Sequence, residues 1–308
     1  MYQVQVRSFS VFRTLKKHQE FGSTIKEYIN NPVKLLVIPI TNKKSYFYFK
    51  YSNELLNNDS RLIRYETKIA NKAAKIWQNM QESDKSYNKK IVAWITKLLD
   101  RIPWTESSLQ TIPSESYILK RIESGSKTNV TFHEYERAKN DSSVVSMKPK
   151  PICVYFPKSI LNESTINKQL KELADAGQQY HKKYAALCAV GIPITFPLIL
   201  VPVVPNVPGF YLAYRLYCNA KAYFGAKHLE SLIKSEDQRL EMRNLVQYSD
   251  ILQGTNSMQA RNEREEVVLL RESDLDRILD SLEIHEISTD LRKAIRQETS
   301  RLECQSKD

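Results

Sequence analysis

The sequence predicts a mainly α-helical fold with a small β-hairpin or sheet near the N-terminus and a proline-broken hydrophobic helical hairpin associated with a membrane. Three observations carry that prediction. Two short β-rich runs, 33–40 (VKLLVIPI) and 45–51 (SYFYFKY), lie four residues apart. Elsewhere apolar residues recur at spacings of three and four, the period of a helix face. The 31 residues 184–214 carry no formal charge and include five prolines.

The first nineteen residues hold Arg7, Arg13, Lys16 and Lys17 and no acid; Glu20 is the first. Basic, hydroxyl-rich and acid-free is the composition of a mitochondrial transit peptide, expected over 1–22. An α+β region is expected over 33–123. Thr41-Asn42-Lys43-Lys44 reads as the turn between the two β-runs. Leu62, Tyr65, Ile69, Ala73, Ile76 and Met80 then form one helix face, and Ile91, Trp94, Ile95, Leu98 and Leu99 a second. Pro103 ends that second helix. Trp77 and Trp94 are expected in the core. Residues 124–151, rich in Ser, Lys and Asn, read as a loop or flexible linker.

A third β-like run, 152–156, opens the region 152–234, expected to be a membrane-associated helical hairpin. Residues 165–183 read as a helix with Ile166, Leu170, Leu173 and Gly177 on one face. The uncharged run that follows exceeds the ~18–20 residues of a membrane-spanning candidate; a buried core hairpin is the alternative. Pro193, Pro197, Pro202, Pro205 and Pro208 each remove a backbone donor, so no straight helix crosses all five. A bent segment over about 184–200, a turn that Asn206 can satisfy, and a new helix opened by Pro208 are expected. On it Tyr211, Tyr214, Cys218, Ala222, Gly225, Leu229 and Leu232 share a face, with small residues permitting close packing and Arg215 lying off it. Phe210 and Tyr211 are candidate anchors, and Arg215 a candidate contact for lipid phosphate or the helix interface. His181 and His228 flank the segment as candidate pH-responsive groups, with ordinary interfacial histidine as the alternative. The tail, 235–308, reads as an acidic helical hairpin. Ser273 with Asp276 resembles a capping box, and Ser288 or Thr289 can start the last helix.

Charge divides the chain. From Ser235 onward 11 basic residues face 17 acidic, a net of −6, which leaves +17 for the first 234 residues. An anionic partner for the front is implied, a membrane surface or nucleic acid, against the plainer reading of a solvated basic face. No RNA-binding module is recognisable, so nucleic acid is not the expected partner. Seven glycines and no G-x-G-x-x-G or P-loop leave no readable phosphate cradle. Cys153, Cys188, Cys218 and Cys304 form no C-x-x-C, and neither a zinc site nor a disulfide framework is expected. With five histidines and no G-x-S-x-G or H-E-x-x-H, the chain is read as no enzyme, with no cofactor.

The proline-rich turn carries a resemblance. Ile192-Pro193-Ile194-Thr195-Phe196-Pro197, the run Val201-Pro202-Val203-Val204-Pro205-Asn206-Val207-Pro208-Gly209-Phe210-Tyr211, and Tyr214-Arg215 resemble the fungal mitochondrial K⁺–H⁺ exchange-related proteins. So do KLLVIPIT (34–41), Trp77, Lys89-Lys90, Leu99-Asp100-Arg101-Ile102-Pro103-Trp104, Ser108-Leu109, Tyr155-Phe156-Pro157-Lys158 and His181. Ala222, Gly225 and His228-Leu229 keep the family pattern, whereas Cys218-Asn219 stands where the family has Ser-His. The likeness covers roughly 33–234, with a weaker match in the tail. It implies a mitochondrial inner-membrane protein linked to potassium–proton exchange. Its partners would be inner-membrane lipids, a second copy or other exchange-system subunits, with K⁺ and protons as the ions. The run 184–214 contains no Asp, Glu, His, Lys or Arg to carry a cation. A component or regulator is therefore expected rather than a complete exchanger, with a membrane-attached scaffold or assembly factor as the alternative.

Overall fold

A computed structural model describes residues 25–57, 60–124, 128–140, 147–197, 207–235, 239–246, 248, 251 and 266–305. The expected transit peptide, and Pro202, Pro205 and Asn206, lie outside the described residues. The expectation of a mainly helical chain with a small sheet near the N-terminus holds.

Four strands make the central sheet, in the order β2-β1-β6-β7. β1 (Val33–Pro39) and β2 (Ser45–Tyr51) form the expected antiparallel hairpin, Val33 opposite Tyr51 and Pro39 opposite Ser45. Thr41 closes its turn, its Oγ1 accepting from the amides of Lys43 at 3.2 Å and Lys44 at 2.9 Å. β6 (Ile152–Phe156) pairs with β1 in parallel at residues 34–36, and β7 (Leu240–Asn244) extends the sheet in parallel beyond β6. Pro39 sits past the β1–β6 register, where no ladder donor is needed.

Both faces of the sheet are covered, which is why β1 and β6 read as continuous apolar runs and not as alternating ones. Val33, Leu35, Val37, Phe47, Phe49, Val154 and Phe156 face α4 (Trp104–Thr111), α6 (Glu163–Ile194) and α7 (Val207–Lys234). Leu36, Ile38, Tyr46, Tyr48 and Tyr155 face the C-terminal helices α8 (Glu272–Leu282) and α9 (Ser288–Gln305). The acidic tail is thus part of the core. α9 starts at Ser288 as expected. The Ser273–Asp276 capping box does not form: α8 begins a residue earlier, at Glu272, with Arg271 at the cap position.

Three further readings are corrected. The stretch 124–151 carries β4 (Asn129–Val130), α5 (Phe132–Asn140) and β5 (Lys148–Pro149), paired with β3 (Lys120–Ser124). The overlooked signal is Thr131-Phe132-His133-Glu134, a capping box in which the Glu134 amide donates to Thr131 Oγ1 at 3.2 Å and the Thr131 amide to Glu134 Oε2 at 2.9 Å. Trp94 is 51% exposed and Trp77 only half-buried, so neither is a core residue. They belong to α2 (Arg61–Gln81) and α3 (Ser86–Asp100), a helical pair at the side of the body. Finally, among the described residues no helix is long and apolar enough to cross a membrane, so the expected transmembrane helix is not there.

Candidate functional site

The residues singled out from the sequence converge on the α6–α7 hairpin. Asn162 caps α6, its Oδ1 accepting from the Thr165 amide at 2.7 Å. Ile166, Leu170 and Gly177 face the body as expected. The helix is not interrupted at the start of the uncharged run. It continues through Pro193 to Ile194, where the Thr195 amide turns to the Ile192 carbonyl at 3.0 Å in a tighter closing turn. α7 opens at Val207 with Pro208 in its first turn, where a missing donor costs nothing. The helices are antiparallel: Gly191 meets Leu212, His181 meets Asn219 and Gly177 meets Ala226.

Arg215 does not lie off the buried face: it is buried and closes the interface between the hairpin and α4. Its guanidinium holds both oxygens of Glu106 on α4, NH2 to Oε2 at 2.8 Å and NH1 to Oε1. Both side chains are buried. Burial works against the charge of Arg215, but the paired bonds to Glu106 outweigh it and hold the pKa above the ordinary arginine value. Gln110 Nε2 donates to Glu106 Oε1 at 3.0 Å. Asn219, one turn past Arg215, donates from Nδ2 to the Arg215 carbonyl at 2.7 Å. Its Oδ1 is then left to accept from His181 Nδ1 at 2.9 Å, which fixes the histidine as the Nδ1–H tautomer. Glu106 Oε2 lies 3.9 Å from the same nitrogen.

Neither histidine is interfacial. His181 and His228 are each 4% exposed. Burial pushes the pKa of His181 down, against the opposing pull of Asn219 and Glu106. His228 Nδ1 donates to the Pro113 carbonyl at 2.6 Å, and burial likewise lowers its pKa. A 350 Å³ cleft opens beside the cluster, walled by Trp104, Glu106, Gln169, Gly177, Tyr180 and His181. Among the described residues no group of three His, Cys, Asp or Glu could hold a metal ion.

Chemically, this arrangement is a lock. Every charge in it is matched, and it ties α4 to the hairpin at the level where the uncharged run begins and ends. Above it the hairpin presents apolar side chains to the outside: Leu187, Val190, Ile194 and Phe196 on one limb, Phe210 and Tyr214 on the other. Val190, Ile194 and Phe210 are 66%, 73% and 72% exposed. Pro193, Pro197 and Pro208 are exposed with them, and Tyr211 packs on Trp94 of α3 with ring centroids 6.3 Å apart. Exposed Lys182 and Lys183 sit just below.

Sequence reasoning missed Glu106 and the role of Asn219. One signal was available: Arg215, Cys218, Ala222, Gly225 and Leu229 follow the spacing of a single helix face. A cation on a buried stripe requires a buried acid.

A family model described as mitochondrial K⁺–H⁺ exchange-related matches residues 34–233. An uncharacterized protein of Saccharomyces cerevisiae is 45% identical over 284 residues, covering 90% of this chain and 88% of its own length. An uncharacterized protein of Schizosaccharomyces pombe is 27% identical over 210 residues, covering 68% of this chain and 79% of its own. No solved structure matches the chain. The matched residues include all but the first residue of β1, the Glu106-bearing α4 and all but the last residue of the hairpin helices, and the chain belongs to the mitochondrial K⁺–H⁺ exchange-related family.

Proposed function

We propose that this chain is a component or regulator of mitochondrial K⁺–H⁺ exchange, attached to the inner membrane by the tip of its α6–α7 hairpin, and not a complete exchanger. The supporting observation is the hairpin end itself: two antiparallel helices whose uncharged limbs expose Leu187, Val190, Ile194, Phe196, Phe210 and Tyr214 in one region. Exposed apolar surface of that extent marks a protein or membrane contact. No helix among the described residues is long and apolar enough to cross a membrane, so attachment is proposed through the exposed apolar ends of α6 and α7.

The same segment argues against autonomous transport. Ion pathways through membranes use ionisable groups or broken-helix carbonyls at the midplane. Residues 184–214 supply no Asp, Glu, His, Lys or Arg, and the nearest charged pair, Arg215 with Glu106, is mutually satisfied and buried. Catalysis forms no part of the proposal. Carbonate extraction of purified mitochondria tests attachment, with full release into the supernatant sinking it. Potassium-acetate swelling of mitochondria lacking the protein tests the exchange link. Unchanged swelling would instead favour a membrane-attached scaffold. Potassium flux in liposomes holding only this chain would overturn the accessory role.

A further inference from the structure

We propose that α2 is a second membrane contact, lying along an anionic lipid surface with its cations on the phosphates. The inference rests on the membrane-attached reading and adds to it a charge-selective element.

The helix divides into three sectors. Ile63 is buried, and Trp77, half-buried, lies near the same side; the only acid in the helix, Glu66, accepts from Tyr217 Oη of α7 at 3.0 Å. The second sector is apolar and open. Tyr65, Ile69 and Ile76, spaced by four and seven, are 64%, 69% and 52% exposed. The third adjoins it: Arg64, Lys68, Lys72 and Lys75, spaced by four, four and three, all exposed. None of these four cations has an acidic partner among the described residues. Like charges one turn apart oppose helix formation, a cost that apposed anions remove. An apolar stripe flanked by unpaired cations on a strongly amphipathic helix is the pattern of a helix lying in the lipid interface.

Position supports the same occupant. The Glu66–Tyr217 bond and the Trp94–Tyr211 ring contact hold the α2–α3 pair against α7, beside the apolar hairpin end. The front of the chain carries +17, so an anionic surface is the complementary partner.

The test is vesicle binding by the full chain at low and high salt. One set of vesicles is phosphatidylcholine alone; the other contains about one fifth phosphatidylglycerol to supply negative charge. Binding to phosphatidylcholine reports the uncharged hairpin, and Val190→Glu with Ile194→Glu should abolish it; no binding by the wild type there would sink the hairpin reading. The gain on anionic vesicles reports α2. Each cation contributes about fivefold, so Lys68→Gln with Lys72→Gln and Lys75→Gln should cut that gain by about 100-fold and leave phosphatidylcholine binding unchanged. All three lysines are exposed, and circular dichroism checks that the variant stays folded. A triple variant that keeps the full anionic gain overturns the inference. So does a lipid-free dimer that Ile69→Glu with Ile76→Glu dissolves, since the apolar stripe would then belong to a second copy.

Discussion

Glu106 and Arg215 show how much rests on single side chains here. Each is desolvated, and each is neutralised only by the other. Breaking such a pair strands a buried charge and costs about 3–5 kcal/mol, whereas replacing both partners with apolar groups of similar volume is often neutral. Arg215→Met should therefore lower the urea midpoint sharply, and Arg215→Met with Glu106→Leu should recover most of the loss. The histidines make a second prediction. His181 and His228 have pKa values below the ordinary histidine value in the folded chain, while the unfolded chain protonates near 6.5. Below that pH the unfolded state binds more protons than the folded one, so stability falls as pH drops from 6.5 through the folded values. Thermal melts from pH 7.5 to 5 should show the decline, and His228→Gln, which keeps a donor toward the Pro113 carbonyl, should flatten it. An equal slope in the variant would mean that His228 does not titrate with folding.

Among the elements, α4, α6 and α7 meet in a close junction, and two glycines permit it. A Cβ on Gly225 would lie 2.2 Å from the Leu109 carbonyl oxygen and 2.8 Å from that of Ile112, both fixed backbone. A Cβ on Gly177 would clash with the movable Leu109 Cδ1, at 2.5 Å, and lie 3.3 Å from Ala226 Cβ, with no backbone atom in the way. Gly225→Ala should thus cost at least 2–3 kcal/mol, roughly, and Gly177→Ala about 1, read by denaturant unfolding. The sequence displayed part of this. Small residues at 218, 222 and 225 marked a close-packed face, but not the partner, because α4 is more than a hundred residues upstream. The same limit applies across the fold. β1, β2 and β6 were readable from local apolar runs, and the β1–β2 pairing from their short turn. The parallel pairing of β6 with β1 and β7 left no local trace. Glu106 was invisible because a buried carboxylate looks like any other Glu until Arg215 is known to face it. Trp77 and Trp94 were expected in the core because periodicity identifies an apolar stripe and not what covers it.

At the scale of the molecule, the asymmetry between a basic front and an acidic tail is partly internal. Lys44 pairs with Glu298 at 3.0 Å, Arg296 with Asp100 at 3.0 Å, and Tyr48 Oη donates to Glu286 at 2.5 Å. The Arg296–Asp100 pair is exposed and contributes ~0–1 kcal/mol, and Glu298 is the one buried acid of the three, so charge sets the register of the tail more than its strength. The strength comes from Leu275, Ile278, Leu279, Leu282 and Leu291, all buried against the sheet face that carries Leu36, Ile38, Tyr46 and Tyr48. At roughly 2 kcal/mol for each side chain their burial is worth on the order of 10 kcal/mol, comparable with the whole net stability of an ordinary domain. The front of the chain should therefore not fold without its tail. Truncation after residue 265 should yield a chain that aggregates or binds a hydrophobic dye and lacks a cooperative melt. Co-expression with a separate 266–308 fragment should restore a soluble complex whose stability changes little between low and high salt. A cooperative, dye-silent transition in the truncated chain would show that the tail is an appendage. The function would then have to be sought in the front alone, and the −6 of the tail would be free for a protein partner.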